Sequence, residues 1–140
     1  QPEIVNIDES ITSAPLLPGD GSAAERYAFM RRVHSRDGRP YCVINIYLDE
    51  KIFRKHPKRF RNETVIPLLL ALPQGGIAKA RQVLTIGTAE LEVAQLLHIP
   101  VNAPVAEVRR VLTGPKRRLI YLGEVTYRGD FVHMEIDLKA

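Results

Sequence analysis

The sequence predicts an α+β domain in which helices flank an antiparallel sheet. Three observations lead to this class. β-rich runs occur in neighbouring pairs, an Asp37-Gly38 turn of the kind that closes hairpins lies between the first two, and short apolar helical segments separate the pairs. With 140 residues, 45% of them hydrophobic and 26% charged, the chain has the size and composition of one domain with its own core.

Residues 1–25 are predicted to form an extended lead-in or linker, because proline and glycine interrupt any hydrophobic period there. The domain itself is expected to cover residues 26–140, and its first two strands are predicted at 27–34 and 41–48. A basic, irregular stretch follows as far as Arg61. It is interpreted as a solvated surface loop, because it is too short and irregular for a nucleic-acid recognition helix, which is the alternative.

The second half of the chain continues the alternation of helices and strands. Thr64 stands where it can cap an apolar helix over 65–72. Further elements are predicted as a strand at 77–86, a helix that Thr88 caps, and strands at 105–112 and 119–127. A last strand is predicted over 131–138, where apolar and polar residues alternate.

The chain contains a weak internal repeat. Arg31-Arg32-Val33 leads into the first hairpin, and Arg109-Arg110-Val111 stands 78 residues further on. In the second strand of each hairpin the offset is 80, which would match Tyr41, Ile44 and Tyr47 with Tyr121, Glu124 and Tyr127. A true repeat would place two arginine-bearing hairpins side by side in one sheet; chance explains so short a match equally well.

Composition and motifs exclude several function classes. No apolar run reaches the roughly 18 residues of a membrane span and no charged leader precedes one, so a cytoplasmic protein without membrane contact is expected. The lone Cys42 cannot form an internal disulfide, and no ligand spacing for a metal occurs, so no metal or cofactor is expected. Hydrolase, phosphate-loop and metalloprotease motifs are absent, and no catalytic residue is assigned. The net charge of +4 is compatible with either nucleic acid or a small anion as partner.

Two adjacent arginines point to an anion site. On a strand, Arg31 and Arg32 face opposite sides of the sheet, so one of them is expected to enter a pocket or interface and to need an anion beside it. The alternative is that both side chains reach water at a sheet edge. Thr64 adds a hydroxyl and free amides at a helix start, which would complete an anion cradle if an inward arginine lies near.

These residues resemble a known family. Arg31-Arg32-Val33, Asp37-Gly38-Arg39-Pro40 and Tyr47-Leu48 are similar to the arginine, turn and strand signature of the UTRA domain, the effector-binding half of HutC-type regulators in the GntR family. Further similarities run in the same order along the chain, at Ala80-Arg81-Gln82, at 94–99 leading into Pro104, and at Tyr127-Arg128-Gly129-Asp130.

The resemblance implies a chorismate-lyase-like fold and a homodimer that senses a small metabolite. In the family a winged helix-turn-helix domain precedes this one and binds operator DNA. Because this chain opens on Gln1 rather than methionine, it is expected to be a piece of a longer protein, with DNA contacted only through the preceding domain.

The resemblance also implies a set of effector-binding residues. Arg32 matches the family's anion-holding arginine, and Thr64 keeps the hydroxyl of the helix start. Where relatives that bind sugar phosphates have a second arginine, a glutamate and an aromatic residue, this chain has His34, Ile44 and Ile66, respectively. The predicted effector-binding residues are Arg32, His34, Ile44, Thr64, Ile66, Tyr121 and Tyr127.

The departures from the family predict an effector that is an anion, carboxylate- or phosphate-bearing, with an apolar or aromatic body rather than a phosphosugar. Ile44 offers no partner to ligand hydroxyl groups, which would cost about 1–3 kcal/mol for each one buried. Two other functions stay open: a chorismate-lyase-like enzyme on the same fold, and a dimerisation module without a ligand.

Overall fold

The computed structural model describes residues 2–73 and 76–139, and it confirms the α+β class. Six antiparallel strands form one sheet in the order β1-β2-β3-β6-β5-β4. The strands are β1 (Glu3–Thr12), β2 (Tyr27–Arg36), β3 (Arg39–Asp49), β4 (Lys79–Thr88), β5 (Pro104–Thr113) and β6 (Leu119–Arg128). The helices are α1 (Glu50–Phe53), α2 (Pro57–Asn62), α3 (Val65–Ala71) and α4 (Leu91–Leu97).

The internal repeat is present in the sheet. Each half consists of an edge strand and a hairpin, and the two hairpins meet where β3 pairs with β6. In the strand register Arg31 lies opposite Asn45 in one hairpin, and Arg109 lies opposite Glu124 in the other. Asn45 is therefore the counterpart of Glu124, and the predicted match between Ile44 and Glu124 is off by one residue. A one-residue slip matters because it exchanges the two faces of a strand.

The sheet has two faces with different covers. We call the face that packs against α1, α2 and α3 the helical face, and the face that carries α4 the cleft face. The main core lies on the helical face, where Phe53 and Phe60 pack on strand residues such as Ile46. On the cleft face, Leu97 of α4 packs on Val33 and Val43. The other end of the cleft face is covered by the segment 13–26, which contributes Ala24 to a second cluster.

Four elements differ from the prediction. Thr88 is the last residue of β4 and does not cap α4, whose N-cap is Glu90. The lead-in is not a free linker, because residues 3–12 form β1 and pair along the whole of β2. The predicted strand at 131–138 is wrong: this segment pairs with no strand in the described chain, and Met134, Ile136 and Leu138 are exposed. The basic stretch is partly helical, and its arginines form ion pairs with Glu50, Glu63 and Glu9.

The segment 13–26 is held to the sheet by a buried aspartate. Asp20 is fully buried, and both its oxygens accept hydrogen bonds from Arg109, at 3.0 and 2.7 Å. Arg81 adds a bond of 3.0 Å. The Arg109 guanidinium lowers the pKa of the Asp20 carboxyl. The segment 13–26 is thus joined to the sheet by a charged contact as well as by apolar packing.

Gly21 follows in a conformation that a side chain would disturb. Its φ is +98°, and a Cβ there would collide with the backbone carbonyl of Arg117, which accepts a bond from the Ser22 amide at 2.9 Å. Gly19 has a similar φ of +92°, yet nothing lies within 4 Å of its Cβ position. A comparison of substitutions at the two glycines therefore separates the cost of a positive φ from the cost of the collision with the Arg117 carbonyl.

We expect Gly21→Ala to lower the free energy of unfolding by about 2 kcal/mol or more, because strain and collision add. Gly19→Ala is the matched control and is expected to cost about 1 kcal/mol, from the left-handed backbone alone. Urea denaturation followed by circular dichroism measures both. Equal losses for the two variants would contradict the close approach at Gly21.

Candidate functional site

Arg32 lies at the centre of the helical face and is fully buried. Its guanidinium donates to the backbone carbonyls of Phe60 and Glu63, the latter at 2.9 Å, where α2 ends. It also donates to Asn6 Oδ1 at 3.3 Å and to the sulfur of Met30 at 3.4 Å. All four acceptors are neutral. Within residues 2–73 and 76–139, no carboxylate forms an ion pair with Arg32.

His34 stands two residues further along the same face. Only 7% of it is exposed, and its Nε2 atom is buried without a hydrogen-bond partner in the described chain. Burial and the nearby Arg32 charge lower the pKa of His34 to about 4. The imidazole is therefore neutral at pH 7, with one ring nitrogen left to bond a ligand.

Two tyrosines of β6 complete the polar part of this face. Tyr121 is almost fully buried, and its phenol lies over Gly123, where a Cβ would stand 2.5 Å from the hydroxyl oxygen. Burial raises the pKa of Tyr121, and Arg110 and Arg32 oppose that rise. Arg110 donates to the Tyr127 hydroxyl at 3.3 Å. A second arginine thus serves the same face from β5.

The remaining predicted residues line the same region. Ile44 is the cross-strand neighbour of Arg32, and it is buried. Thr64 directly follows the carbonyl of Glu63 that Arg32 holds, so it lies close to the guanidinium; its side chain makes no cap hydrogen bond. Ile66 packs on the core from α3. The structure therefore brings all seven predicted residues to one face of the sheet.

Several residues of this region are not among the predicted site residues. Asn6 belongs to the predicted lead-in, and Arg110 is predicted only as a member of the repeat. The repeat itself could have identified Arg110, because the offset of 78 makes it the counterpart of Arg32. Tyr41 and Phe131 form a stacked pair with ring centroids 4.3 Å apart, beside His34 and Tyr127. They bring an aromatic surface to the outer end of the site.

Cys42 lies between His34 and Tyr127 in the sheet register but is chemically quiet. Burial raises the pKa of its thiol to about 12. Because the thiolate is the reactive form, this cysteine is an apolar filler at neutral pH. In the parts of the chain that the structure describes, no cluster of histidine, cysteine and carboxylate residues could hold a metal ion. No described helix is both long and apolar enough to cross a membrane.

The six-stranded antiparallel sheet with its short helices can be compared with known protein families. The model of the UTRA domain matches residues 21–133. The chain belongs to the UTRA domain family. The comparison with curated protein sequences gave no match.

Solved structures with similar folds carry names that fit this family. The effector domain of PhnF from Mycobacterium smegmatis has a TM-score of 0.78 at 17% identity, over 100% of this chain and 88% of that one. A GntR-family transcriptional regulator from Enterococcus faecalis V583 has a TM-score of 0.74 at 16% identity, over 96% and 99% of the two chains. The C-terminal domain of the histidine utilization repressor from Pseudomonas syringae pv. tomato str. DC3000 has a TM-score of 0.70 at 14% identity, over 100% of both.

The depressed pKa of His34 predicts a pH dependence of stability. Since the fold favours the neutral imidazole, the unfolded chain binds the proton first as the pH falls. The free energy of unfolding is therefore expected to decrease from about pH 6.5 towards pH 4. Urea denaturation across this range measures the slope, and NMR titration of the ring assigns it. His34→Gln should remove this component, whereas His133→Gln, at an exposed site, should keep it. Titration of His34 near its ordinary value would contradict the burial described here.

Proposed function

We propose that this domain is the effector sensor of a bacterial GntR-family, HutC-type transcription regulator. It binds an anionic metabolite on the helical face and thereby changes the operator affinity of a dimer, whose DNA-binding domain would precede β1. The family match and the names of the similar structures support the class of function. An enzymatic role finds no such support, because those names describe regulators and their domains.

The observation that carries the proposal is the charge of Arg32. A guanidinium removed from water is costly unless an anion compensates it, and here every acceptor is neutral. A carboxylate or phosphate bound to Arg32 would supply the missing charge through charge-assisted hydrogen bonds. The unpartnered Nε2 of His34 would give a further bond.

The residues around Arg32 and His34 indicate the rest of the ligand. Ile44 and Ile66 are apolar, and Tyr41 and Phe131 add a stacked aromatic pair at the outer end. Such a lining favours an apolar or aromatic body and leaves the hydroxyl groups of a sugar without partners. The effector class is therefore an anion on an apolar or aromatic frame.

The bonds of Arg32 suggest how binding would be transmitted. Its acceptors belong to β1, through Asn6, and to the junction of α2 and α3, through Phe60 and Glu63. An anion that takes donors from this guanidinium must compete with these contacts, so bound and free states would differ in how β1 and the junction are held. An effector that prefers one state shifts the population towards it, and DNA affinity changes only by that preference.

Isothermal titration calorimetry against aliphatic and aromatic carboxylates and against sugar phosphates tests the proposal. We expect a carboxylate with an apolar body to bind, and Arg32→Met to weaken it by at least about tenfold. Arg54→Met, at an exposed arginine that pairs with Glu50, is the matched control and should bind as the parent does. Because Arg32 also supports the fold, His34→Gln serves as a second variant. It should weaken binding and reduce its dependence on pH. Tight binding of an amino-sugar phosphate, or unchanged affinity in both site variants, would contradict the proposal.

The exposed tail supports self-association. In residues 132–139 the apolar side chains alternate with polar ones, and Met134, Ile136 and Leu138 are 70%, 66% and 95% exposed. Such a row fits a strand with one buried face, and within the described chain nothing covers it. We assign the tail to contact with a second copy of the chain.

Sedimentation velocity tests the assignment. The parent protein is expected to sediment as a dimer, and Ile136→Asp to shift it towards monomer, because a buried unpaired charge opposes association. His133→Asp is the matched control on the other face of the alternation and should stay dimeric. A dimer unaffected by Ile136→Asp would remove the tail from the interface.

A further inference from the structure

The cleft face carries a cavity on the side of the sheet opposite to Arg32. It has a volume of about 590 Å³ and opens between α4 and the segment 13–26. Strands β3 to β6 form its floor, with Leu17 and Asp20 on one wall and Glu90 and Val93 on the other. A volume of this order is typical of sites for small molecules.

The cleft exists because the two halves of the sheet are covered differently. In the second half, β4 connects to β5 through α4, which packs on the cleft face. In the first half the equivalent connection, residues 13–26, contains no helix. The middle of this sheet face is therefore left between two unlike walls.

A polar row crosses the cleft face at this point. In the strand register Arg31 lies opposite Asn45, Asn45 lies opposite Glu124, and Glu124 lies opposite Arg109. Neighbouring strands lie about 4.8 Å apart, so the row extends roughly 14 Å across four central strands. Half-buried polar groups cost free energy unless they find hydrogen-bond partners. The packing of α4 and of the segment 13–26 on the sheet therefore does not explain four polar residues in a row.

Two groups of the row lack partners. Arg31 donates to Asn45 at 2.8 Å and to Glu92 of α4 at 2.7 Å, but its Nε is buried without an acceptor among the described residues. The half-buried carboxylate of Glu124 receives no hydrogen bond and forms no ion pair within residues 2–73 and 76–139. The floor thus presents one unused donor and one unused acceptor pair.

The charges of the lining are separated along the cleft. At the wall of segment 13–26, Arg81 and Arg109 share the single carboxylate of Asp20, which leaves positive charge in excess. In the centre and towards α4, Glu124, Glu107 and Glu90 outnumber Arg31, which Glu92 already pairs. A ligand that suits this field is negative at one end and positive at the other.

We propose that the cleft binds a small zwitterion of the amino-acid class. Its carboxylate contacts Arg81 and Arg109, and its ammonium group contacts Glu124. Arg109 and Glu124 are one strand spacing apart, about 5 Å, which the two charged groups of an amino acid can bridge. The site lies on the opposite face from Arg32 and is independent of the anion site there.

Ligand-observed NMR and calorimetry with a panel of free α-amino acids test this site. Each amino acid is compared with the α-hydroxy acid and the amine of the same side chain. We expect at least one amino acid to bind, and both of its analogues, each lacking one charge, to bind at least about tenfold more weakly. Glu124→Gln and Arg81→Gln should each weaken the amino acid by a similar factor. Glu135→Gln, an exposed carboxylate of the tail, is the matched control and should leave binding unchanged.

Variants of the other face keep this test separate from the preceding one. Arg32→Met is expected to retain amino-acid binding, whatever its effect on anions. Amino-acid binding that survives Glu124→Gln and Arg81→Gln but is lost in Arg32→Met would place the ligand on the helical face and overturn the cleft site. The absence of binding by every amino acid at millimolar concentration would overturn it as well.

Discussion

A buried guanidinium without a carboxylate organises the helical face of this domain. From β2, Arg32 binds two parts of the chain that are distant in sequence, because its partners are Asn6 of β1 and the carbonyls of Phe60 and Glu63 at the junction of α2 and α3. Its positive charge helps to keep His34 neutral and acts on the phenol of Tyr121. Neutral acceptors satisfy its hydrogen bonds but do not compensate its charge. The same residue therefore holds distant parts of the fold together and is also the most favourable position for a bound anion.

Much of the sheet could be predicted from the sequence because hairpins are local. The Asp37-Gly38 turn fixes β2 against β3, and the opposite orientation of Arg31 and Arg32 follows from strand geometry. β1 could not be predicted in this way, because it is an edge strand with both faces largely exposed and shows no apolar alternation. The tail shows that alternation in full yet has no partner strand in the described chain, since a pattern indicates a suitable surface and not what covers it.

The candidate site, too, could be predicted from the sequence only in part. Its members on strands and at the helix start could be placed on one face from the sequence, with the help of a family resemblance. Three of the four acceptors of Arg32 could not, because two of them are backbone carbonyls and one, Asn6, lies in a segment that looks like a linker. The cleft could not be predicted either, for a related reason. It results from the difference between two chain connections, and no motif records that difference.

The edge strand β1 has a practical consequence for where this domain is taken to begin. The family match starts at residue 21, whereas the sheet already includes β1 from Glu3 onwards. A protein expressed from residue 21 would leave β2 as a bare edge, Arg32 without Asn6 and Arg109 without Asp20. Such a fragment would lose contacts on both faces of the sheet at once, so a domain boundary drawn from sequence similarity alone would yield a protein unsuited to ligand screening.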